Sequence, residues 1–409
     1  MSSSTDTRPF LPFALPSVGE EEIAAVAEAI RSGWLTTGVR TAKFEAEFAA
    51  MVGAENALAV NSCTAAMHLG LDALGIGEGY RVALPVWTFT ASAECLRYLG
   101  AHPLFVDVDR ATLNIDPALL EAALDRAGRD GGGPVRAIMP VHFAGQPCDM
   151  DSIMAIARAR GLRVIEDAAH CFPGKVRMAG PGAEPGDRTI GTIGDITAFS
   201  FYATKTITTG EGGMITCREP ELARRMKVMR LHGISRDVWD RYTSKTASWR
   251  YDIIDAGFKY NLTDIASTMG LVQLGRAAEF LAARARIAAA YDAAFADLPE
   301  VETPTVASTT SLHSWHLYVM RIVPERLKIG RDAFIAELNA RGVGTSVHFI
   351  PLHLMTYWRQ RYDLSPRDFP VASGEFERVV SLPIYPRMTE GDVGRVVDAV
   401  ADVVRAHRC

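Results

Sequence analysis

The sequence lacks the features that mark membrane, nucleic-acid-binding and disulfide-stabilised proteins. No apolar run approaches the length of about 18 residues that a membrane-spanning helix requires. The formal net charge is −5, so no basic excess points to nucleic acid. Six cysteines are scattered without a C-x-x-C pair or zinc-like spacing, which is typical of free thiols in a reducing compartment. Met1 to Pro9 has no apolar signal core, so we expect a cytoplasmic protein. The spacing of the cysteines leads us to expect no metal site.

Internal repeats and low-complexity tracts are also missing. Two stretches rich in glycine and proline, 126–136 and 174–194, have no periodicity and no G-x-x-x-x-G-K pattern. We therefore predict that both are surface loops. The 409 residues are 48% hydrophobic and 22% charged, which is ordinary globular composition and enough for two or three domains.

Short apolar runs alternate with helical segments through the first two thirds of the chain. The predicted strands are 57–60, 81–84, 104–108, 137–141, 162–165, 196–201 and 214–217. The predicted helices are 21–32, a segment through Phe44 and Phe48, 65–74, 91–99, 117–124 and 150–160. This alternation indicates an α/β fold with a mostly parallel sheet covered on both faces. Ligands of such sheets bind at the carboxyl ends of the strands.

The composition changes near Pro299. Residues 263–297 read as one or two long helices, and a mixed pattern follows. It contains predicted strands at 315–322 and 345–349 and predicted helices at 331–341 and 392–405. We predict a large α/β domain over 1–275 and a smaller α+β domain over 276–409.

Three strand ends carry polar residues. Asn61 to Met67 is a hydroxyl-rich turn that enters a helix, which suits either a phosphate site or an ordinary N-cap. Glu166 to His170 places an acid after a strand, where a plain turn residue is the alternative. Phe199 to Gly213 is an aromatic strand followed by Lys205 and a glycine-rich bend. Lys205 is either a solvated loop lysine or a buried amine able to form a Schiff base.

Aromatic residues suggest two further contacts. Trp87 and Phe89 follow a strand, and we expect Trp87 in the core, while Phe89 suits a core position or the face of a planar ring. Between Arg230 and Asn261, basic residues alternate with aromatic residues. This composition is equally typical of a nucleotide-binding site and of a subunit interface. Strand-end amides, a ring-stacking aromatic, an acid and a lysine together favour pyridoxal 5′-phosphate (PLP) as cofactor.

The chain resembles the DegT/DnrJ/EryC1/StrS sugar aminotransferases, which have the aspartate-aminotransferase fold (PLP fold type I). The resemblance runs from Ser32 to Pro383. The matching segments are 88–89, 105–109, 166–170, 199–201 with Lys205, and 210–213. His170 and the segments 257–262, 313–317 and 344–349 resemble the branch that aminates C4 of a UDP-4-keto-pentose.

This resemblance implies a role for each matching position. Lys205 would bond the cofactor and Asp167 would pair with its pyridinium nitrogen, with His170 beside the phenolic oxygen. Phe89 would stack on the ring. The phosphate would be held by Thr64, Ala65 and Ser200, and by Asn261 from a partner subunit. His348 and His353 would lie near the sugar. A large domain with a mostly parallel sheet, a smaller C-terminal α+β domain and a homodimer with shared active sites are implied as well.

The implied reaction is transfer of an amino group from L-glutamate to C4 of a nucleotide-linked 4-keto sugar. A C3 aminotransferase and a non-catalytic sugar-nucleotide-binding relative are the alternatives. A 3-dehydratase of this family would have histidine in place of Lys205. A cysteine desulfurase would have histidine in place of Thr204.

Overall fold

The computed structural model describes residues 9–179, 184–235 and 251–409. Within these ranges the helices are α1 Glu20–Arg31, α2 Val39–Val52, α3 Cys63–Ala73, α4 Ala91–Tyr98, α5 Pro117–Ala127, α6 Met150–Arg160, α7 Pro220–Met229, α8 Asp264–Gly275, α9 Ala277–Phe295, α10 Arg331–Ala340, α11 Thr356–Tyr362, α12 Pro370–Phe376 and α13 Glu390–His407. The strands are β1 Asn56–Val60, β2 Arg81–Pro85, β3 His102–Val106, β4 Val135–Ile138, β5 Arg163–Asp167, β6 Lys175–Met178, β7 Gly186–Thr189, β8 Ile196–Ser200, β9 Gly213–Cys217, β10 Val301–Glu302, β11 Thr310–Leu312, β12 Tyr318–Ile322 and β13 Val379–Leu382.

A seven-stranded sheet in the order β1-β9-β8-β5-β4-β2-β3 forms the centre of the fold. Every strand in it is parallel to the others except β9, which pairs antiparallel with β1 and β8. The predicted α/β fold with a mainly parallel sheet is therefore confirmed. None of the described helices is both long and apolar enough to cross a membrane.

Two hydrophobic clusters cover the two faces of this sheet. Successive side chains of a strand point to opposite faces, and Val82 and Leu84 of β2 accordingly join one cluster while Ala83 joins the other. Because both faces are covered, β2 and β9 are buried along their whole length. The sheet is thus held rigidly from both sides, which fixes where its strand ends lie.

A smaller antiparallel sheet of β10, β12 and β13 lies in the C-terminal part of the chain. Its core cluster takes residues from the long helix α9, from α10 and from α13. Leu11 also belongs to this cluster and bridges to Val343, so the N-terminal segment packs on the C-terminal unit. The division at 275 and 276 stays a prediction.

The prediction of a surface loop over 174–194 is wrong. This segment contains β6 and β7, which pair with each other and with β11. Val176 and Met178 of β6 are buried and alternate with exposed residues, as a half-buried strand requires. The pattern was hidden because only four residues of each strand carry it.

Two strand predictions in the C-terminal part also need correction. The segment 345–349 is not a strand, because its pairing is limited to one bridge between Ser346 and Ser381. The predicted strand 315–322 begins only at Tyr318. Trp315 has a φ of 48°, in the left-handed region, so the chain turns there before β12 begins.

Gly213 begins β9 and lies against the turn that opens α3. A Cβ here would come within 2.6 Å of the Ser62 carbonyl carbon and 2.8 Å of the Cys63 nitrogen. Because these are backbone atoms, we expect Gly213→Ala to lower the free energy of unfolding by about 1–3 kcal/mol, measured by urea denaturation. Gly394→Ala in α13 is the control, since no atom lies within 4 Å and alanine favours a helix. An unchanged unfolding midpoint for Gly213→Ala would contradict the close approach.

Candidate active site

A cavity of about 450 Å³ opens at the carboxyl ends of the parallel strands. The residues that line it come from the segments after β1, β2, β4, β5 and β8 and from the chain around 316 and 348. They are Ser62, Cys63, Thr64, Met67, Thr88, Phe89, Ala91, Val141, Asp167, Ala169, His170, Ser200, Tyr202, Thr204, Lys205, Glu211, Gly212, His316, His348 and Phe349. Among the described residues, no cluster of His, Cys, Asp or Glu could hold a metal ion.

Lys205 lies in the loop between β8 and β9. Its backbone amide donates to the Tyr202 carbonyl, and the bend at Gly210, with a φ of 80°, returns the chain to the sheet. Burial lowers the pKa of the Lys205 amine to about 8, Cys63 and Asp167 oppose that shift, and Arg284 adds to it. Lys205 is therefore a lysine whose neutral amine is accessible at physiological pH.

Asp167 ends β5, and two hydrogen bonds fix its carboxylate. The Ser92 hydroxyl donates to Oδ2 at 2.7 Å, and the Ala169 amide donates to Oδ1 at 3.0 Å. The Thr88 hydroxyl lies 2.6 Å from the Ser92 hydroxyl. Because the single hydroxyl proton of Ser92 is donated to Asp167, Thr88 must donate to Ser92. This chain of donors holds a buried carboxylate at the cavity wall, ready to pair with a cationic group.

Three histidines line the cavity beside Lys205. Burial lowers the pKa of His170 and His316 well below its ordinary value, and lowers that of His348 to about 4, with Lys205 adding to each shift. The Ala144 amide donates to Nδ1 of His170, so the proton of that imidazole is assigned to Nε2. All three imidazoles are therefore neutral at pH 7.

The turn at the start of α3 forms a cradle for an anion. Ser62 is the N-cap, and its hydroxyl accepts a hydrogen bond from the Ala65 amide at 3.0 Å. The Ala65 amide is thus already used within the helix, and Ala65 is not among the lining residues. The amides of Cys63 and Thr64 precede it and have no acceptor within the helix. Thr64 and Ser200 both line the cavity.

The remaining predicted residues have different locations. Phe89 lines the cavity and is 58% exposed, whereas Trp87 is fully buried, as predicted. The Asn261 side chain donates to the Thr37 hydroxyl of its own chain, outside the cavity lining. His353 is fully buried and bonds the Ser373 hydroxyl instead, so the structure does not bring it to the cavity.

Sequence reasoning assigned no role to Ser92 or His316. Ser92 is the second residue of α4, and a serine in the first turn of a helix is common enough that it carried no functional signal. His316 lies with its Nε2 atom 3.5 Å from the Lys205 amine, but nothing in the spacing of the sequence links the two. Part of the basic and aromatic stretch between Arg230 and Asn261, residues 236–250, lies outside the described residues.

Residues 16–401 match the DegT/DnrJ/EryC1/StrS aminotransferase family. The chain belongs to this family. It is therefore an enzyme, and the family name states its reaction class, the transfer of an amino group. The predicted family is confirmed, and this aminotransferase has the lysine, carboxylate and anion cradle described above.

Relatives of this aminotransferase match over nearly their whole length. The uncharacterized protein MJ1066 of Methanocaldococcus jannaschii is 46% identical over 98% of this chain and 99% of its own length. The spore coat polysaccharide biosynthesis protein SpsC of Bacillus subtilis is 44% identical over 97% of each chain. A putative sugar aminotransferase of Streptococcus pneumoniae, Spr1654, superposes in its PMP-form with a TM-score of 0.86, at 30% identity over 97% of this chain and 98% of its own.

Proposed function

We propose that this enzyme transfers an amino group from L-glutamate to C4 of a nucleotide-linked 4-keto sugar. The product would be a 4-amino-4-deoxy sugar nucleotide. The sugar acceptor is supported by the name of SpsC, a polysaccharide biosynthesis protein, and by the sugar aminotransferase Spr1654. The C4 position is supported by His170 and by Gly257 to Leu262, which resemble the C4 branch of the family.

Pyridoxal 5′-phosphate is the cofactor of this aminotransferase, and Spr1654 has been solved in a PLP-form and a PMP-form. The residues of the cavity fit the molecule. A buried amine and a fixed carboxylate line the same cavity, and the amides at the start of α3 remain available for a phosphate. When bound, the cofactor supplies an electron sink and carries the amino group from donor to acceptor.

The observation that carries the proposal is the presence of both Lys205 and Asp167 in the lining of one cavity. We assign two roles to Lys205: its Nζ atom would form the covalent link to the cofactor, and the same atom would later move a proton. Asp167 would hold a proton on the ring nitrogen, because a buried carboxylate stabilises a cation beside it. Phe89 would pack against the ring, and His170, which is neutral, would donate from Nε2.

The phosphate and sugar ends of the cavity are assigned in the same way. Thr64 and Ser200 line the cradle at the start of α3 and would hold the phosphate. Asn261 of the partner subunit would complete that site, so the enzyme would act as a homodimer with shared active sites. His348 lines the cavity near Phe349 and would face the sugar. We further propose a cytoplasmic location, where nucleotide-linked sugars and glutamate are both available.

The uptake of PLP by the apoprotein should depend on pH in a defined way. Only the neutral Lys205 amine can bond the cofactor, and its pKa is about 8. We therefore expect the uptake rate to fall about tenfold per pH unit below pH 8 and to level off above it. Stopped-flow absorbance of the apoprotein mixed with PLP measures this. A plateau that begins only near 10.5, the ordinary pKa of lysine, would contradict the buried amine.

A panel of substrates tests the proposed reaction. The PLP-loaded enzyme is incubated with L-glutamate and, separately, with UDP-4-keto-pentose, dTDP-4-keto-6-deoxyhexose and dTDP-3-keto-6-deoxyhexose. Mass spectrometry identifies an amino sugar, and NMR locates the new amine. We expect amination at C4 together with 2-oxoglutarate. Amination of only the 3-keto sugar, or no amination of any, would overturn the proposal.

A further inference from the structure

His316 is the side chain that contacts Lys205 and that the family resemblance leaves without a role. Its Nε2 atom lies 3.5 Å from the Lys205 Nζ atom, and the residue is 6% exposed. Its Nδ1 atom is buried and has no hydrogen-bond partner among the described residues. Among the described residues, Lys205 is therefore the one side chain that forms a hydrogen bond with the imidazole of His316.

The direction of this hydrogen bond follows from the chemistry of lysine. A protonated lysine has three N–H donors and no acceptor, so Nε2 must accept from it and the imidazole proton must lie on Nδ1. A neutral amine can keep the same bond with one of its two N–H groups. Its lone pair then points away from His316, which leaves it available for a reacting carbon.

Two parts of the chain hold His316 in this position. On one side, the Gly145 carbonyl accepts from the Ser314 amide at 2.9 Å, and the Ala144 carbonyl accepts from the Leu317 amide at 3.2 Å. Ala144 also donates to His170, whose ring lies 4.3 Å from that of His316. One turn thus sets the positions of two cavity histidines.

Arg284 of α9 holds the segment from the other side. Its Nη1 group donates to the carbonyls of Trp315 and His316, both at 3.2 Å, and to that of Ile384 at 2.8 Å. Arg284 is 3% exposed and, among the described residues, has no carboxylate partner. Burial of a cation without an anionic partner is costly. The three bonds to carbonyls offset part of that cost, and they fix the turn at Trp315 that carries His316 to Lys205.

We propose that His316 accepts a hydrogen bond from Lys205 and so orients the lone pair of its amine, and that Arg284 positions His316 for this contact. The inference rests on the role proposed for Lys205. Burial and the nearby Lys205 hold the pKa of His316 well below its ordinary value, and Arg284 adds to this shift, so the imidazole stays an acceptor. His316 is thus a catalytic residue in contact with the reacting amine, and Arg284 is a positioning residue.

His316→Leu and His316→Gln test the first half. Leucine has no acceptor, whereas glutamine has one. In the apoprotein above about pH 9, where the Lys205 amine is neutral, we expect acetic anhydride to label Lys205 about tenfold more slowly in His316→Leu than in the wild type, because one hydrogen bond no longer orients the lone pair. His316→Gln should lie within about threefold of the wild-type rate. Peptide mass spectrometry measures both against exposed Lys175 as the internal reference.

The loaded enzyme should show the same order in kcat, with an unchanged KM for the sugar. Equal rates for His316→Leu and the wild type would overturn the contact. Equal losses in His316→Leu and His316→Gln would show that shape rather than an acceptor is needed, and would overturn it too. The labelling of the apoprotein requires no cofactor. The labelling experiment therefore still tests the contact between His316 and Lys205 if Lys205→Ala shows that the cofactor is held elsewhere.

Arg284→Met and Arg284→Lys test the second half, with Arg286→Met as a matched control on the exposed side of α9. Arg284→Met removes both the donors and the charge, so the labelling profile of Lys205 should move to higher pH and the rate should fall about tenfold. Arg284→Lys keeps the charge, so its pH profile should stay near that of the wild type, although the rate falls. If Arg284→Met does not fold, Arg284→Lys alone decides. A wild-type rate and profile in whichever variant folds would overturn the role of Arg284.

Discussion

Lys205→Ala is expected to abolish turnover, with a loss of at least about 10³-fold in kcat. In the roles proposed for Lys205, the variant removes both the covalent link to PLP and the group that moves a proton at the reacting carbon, and a positioned acid–base group alone contributes about 10²–10⁴-fold. The fold should persist, because the side chain makes no ion pair among the described residues and burial disfavours its charge. Formation of 2-oxoglutarate from glutamate measures the loss.

The controls separate chemistry from structure. Lys175→Ala removes an exposed lysine of β6 and should leave kcat unchanged. Lys205→Arg keeps a positive charge but cannot bond the cofactor in the same way, so it should be as inactive as Lys205→Ala. The visible absorption of bound PLP should change in both Lys205 variants. Turnover within tenfold of the wild type in Lys205→Ala would sink the assignment.

Asp167→Asn is expected to lower kcat by about 10²–10⁴-fold. Asparagine has the same shape, and its Oδ1 can still accept from the Ala169 amide, but its Nδ2 faces Ser92 as a donor, so the negative charge and the hydrogen bond donated by Ser92 are lost. Loss of one partner from a buried ion pair costs about 3–5 kcal/mol, which corresponds to this factor. The affinity for PLP should fall as well. Titration of the apoprotein with PLP and steady-state kinetics measure the two effects.

Asp116→Asn is the matched control for this substitution. Asp116 caps α5 and is not among the residues that line the cavity, and asparagine caps helices equally well. Its kinetics and unfolding midpoint should match those of the wild type. If Asp167→Asn kept full turnover and PLP affinity, the ring nitrogen would have to be held by another group.

The positions of the main site residues could be predicted from the sequence because they follow apolar runs. Thr64, Asp167 and Lys205 come within four residues after predicted strands, Ser200 lies near the end of one, and the carboxyl ends of parallel strands meet at one edge of the sheet. The buried strand and the glycine bend at Gly210 were readable for the same reason. The fold class and the cofactor follow from these local signals.

Contacts between distant segments could not be predicted. Ser92 bonds a residue 75 positions away, and His316 contacts one 111 positions away. No periodicity in a sequence reports such distances. His348 and His353 show the same limit: both belong to one short segment, but His353 lies in a short turn that packs on Ser373, while His348 lines the cavity.

The cavity is lined by residues from distant parts of the chain, and this affects how PLP stabilises the fold. Its residues extend from Ser62 to Phe349, so neither the N-terminal nor the C-terminal part of the chain contains a complete site. PLP must therefore bind the globally folded chain and not a fragment or a partly folded state. Linkage then requires that the melting temperature rise with the concentration of PLP. At a PLP concentration of a hundredfold over Kd, the free energy of unfolding increases by about 2.7 kcal/mol. Calorimetric scans at several PLP concentrations measure this shift, and a melting temperature independent of PLP would contradict it.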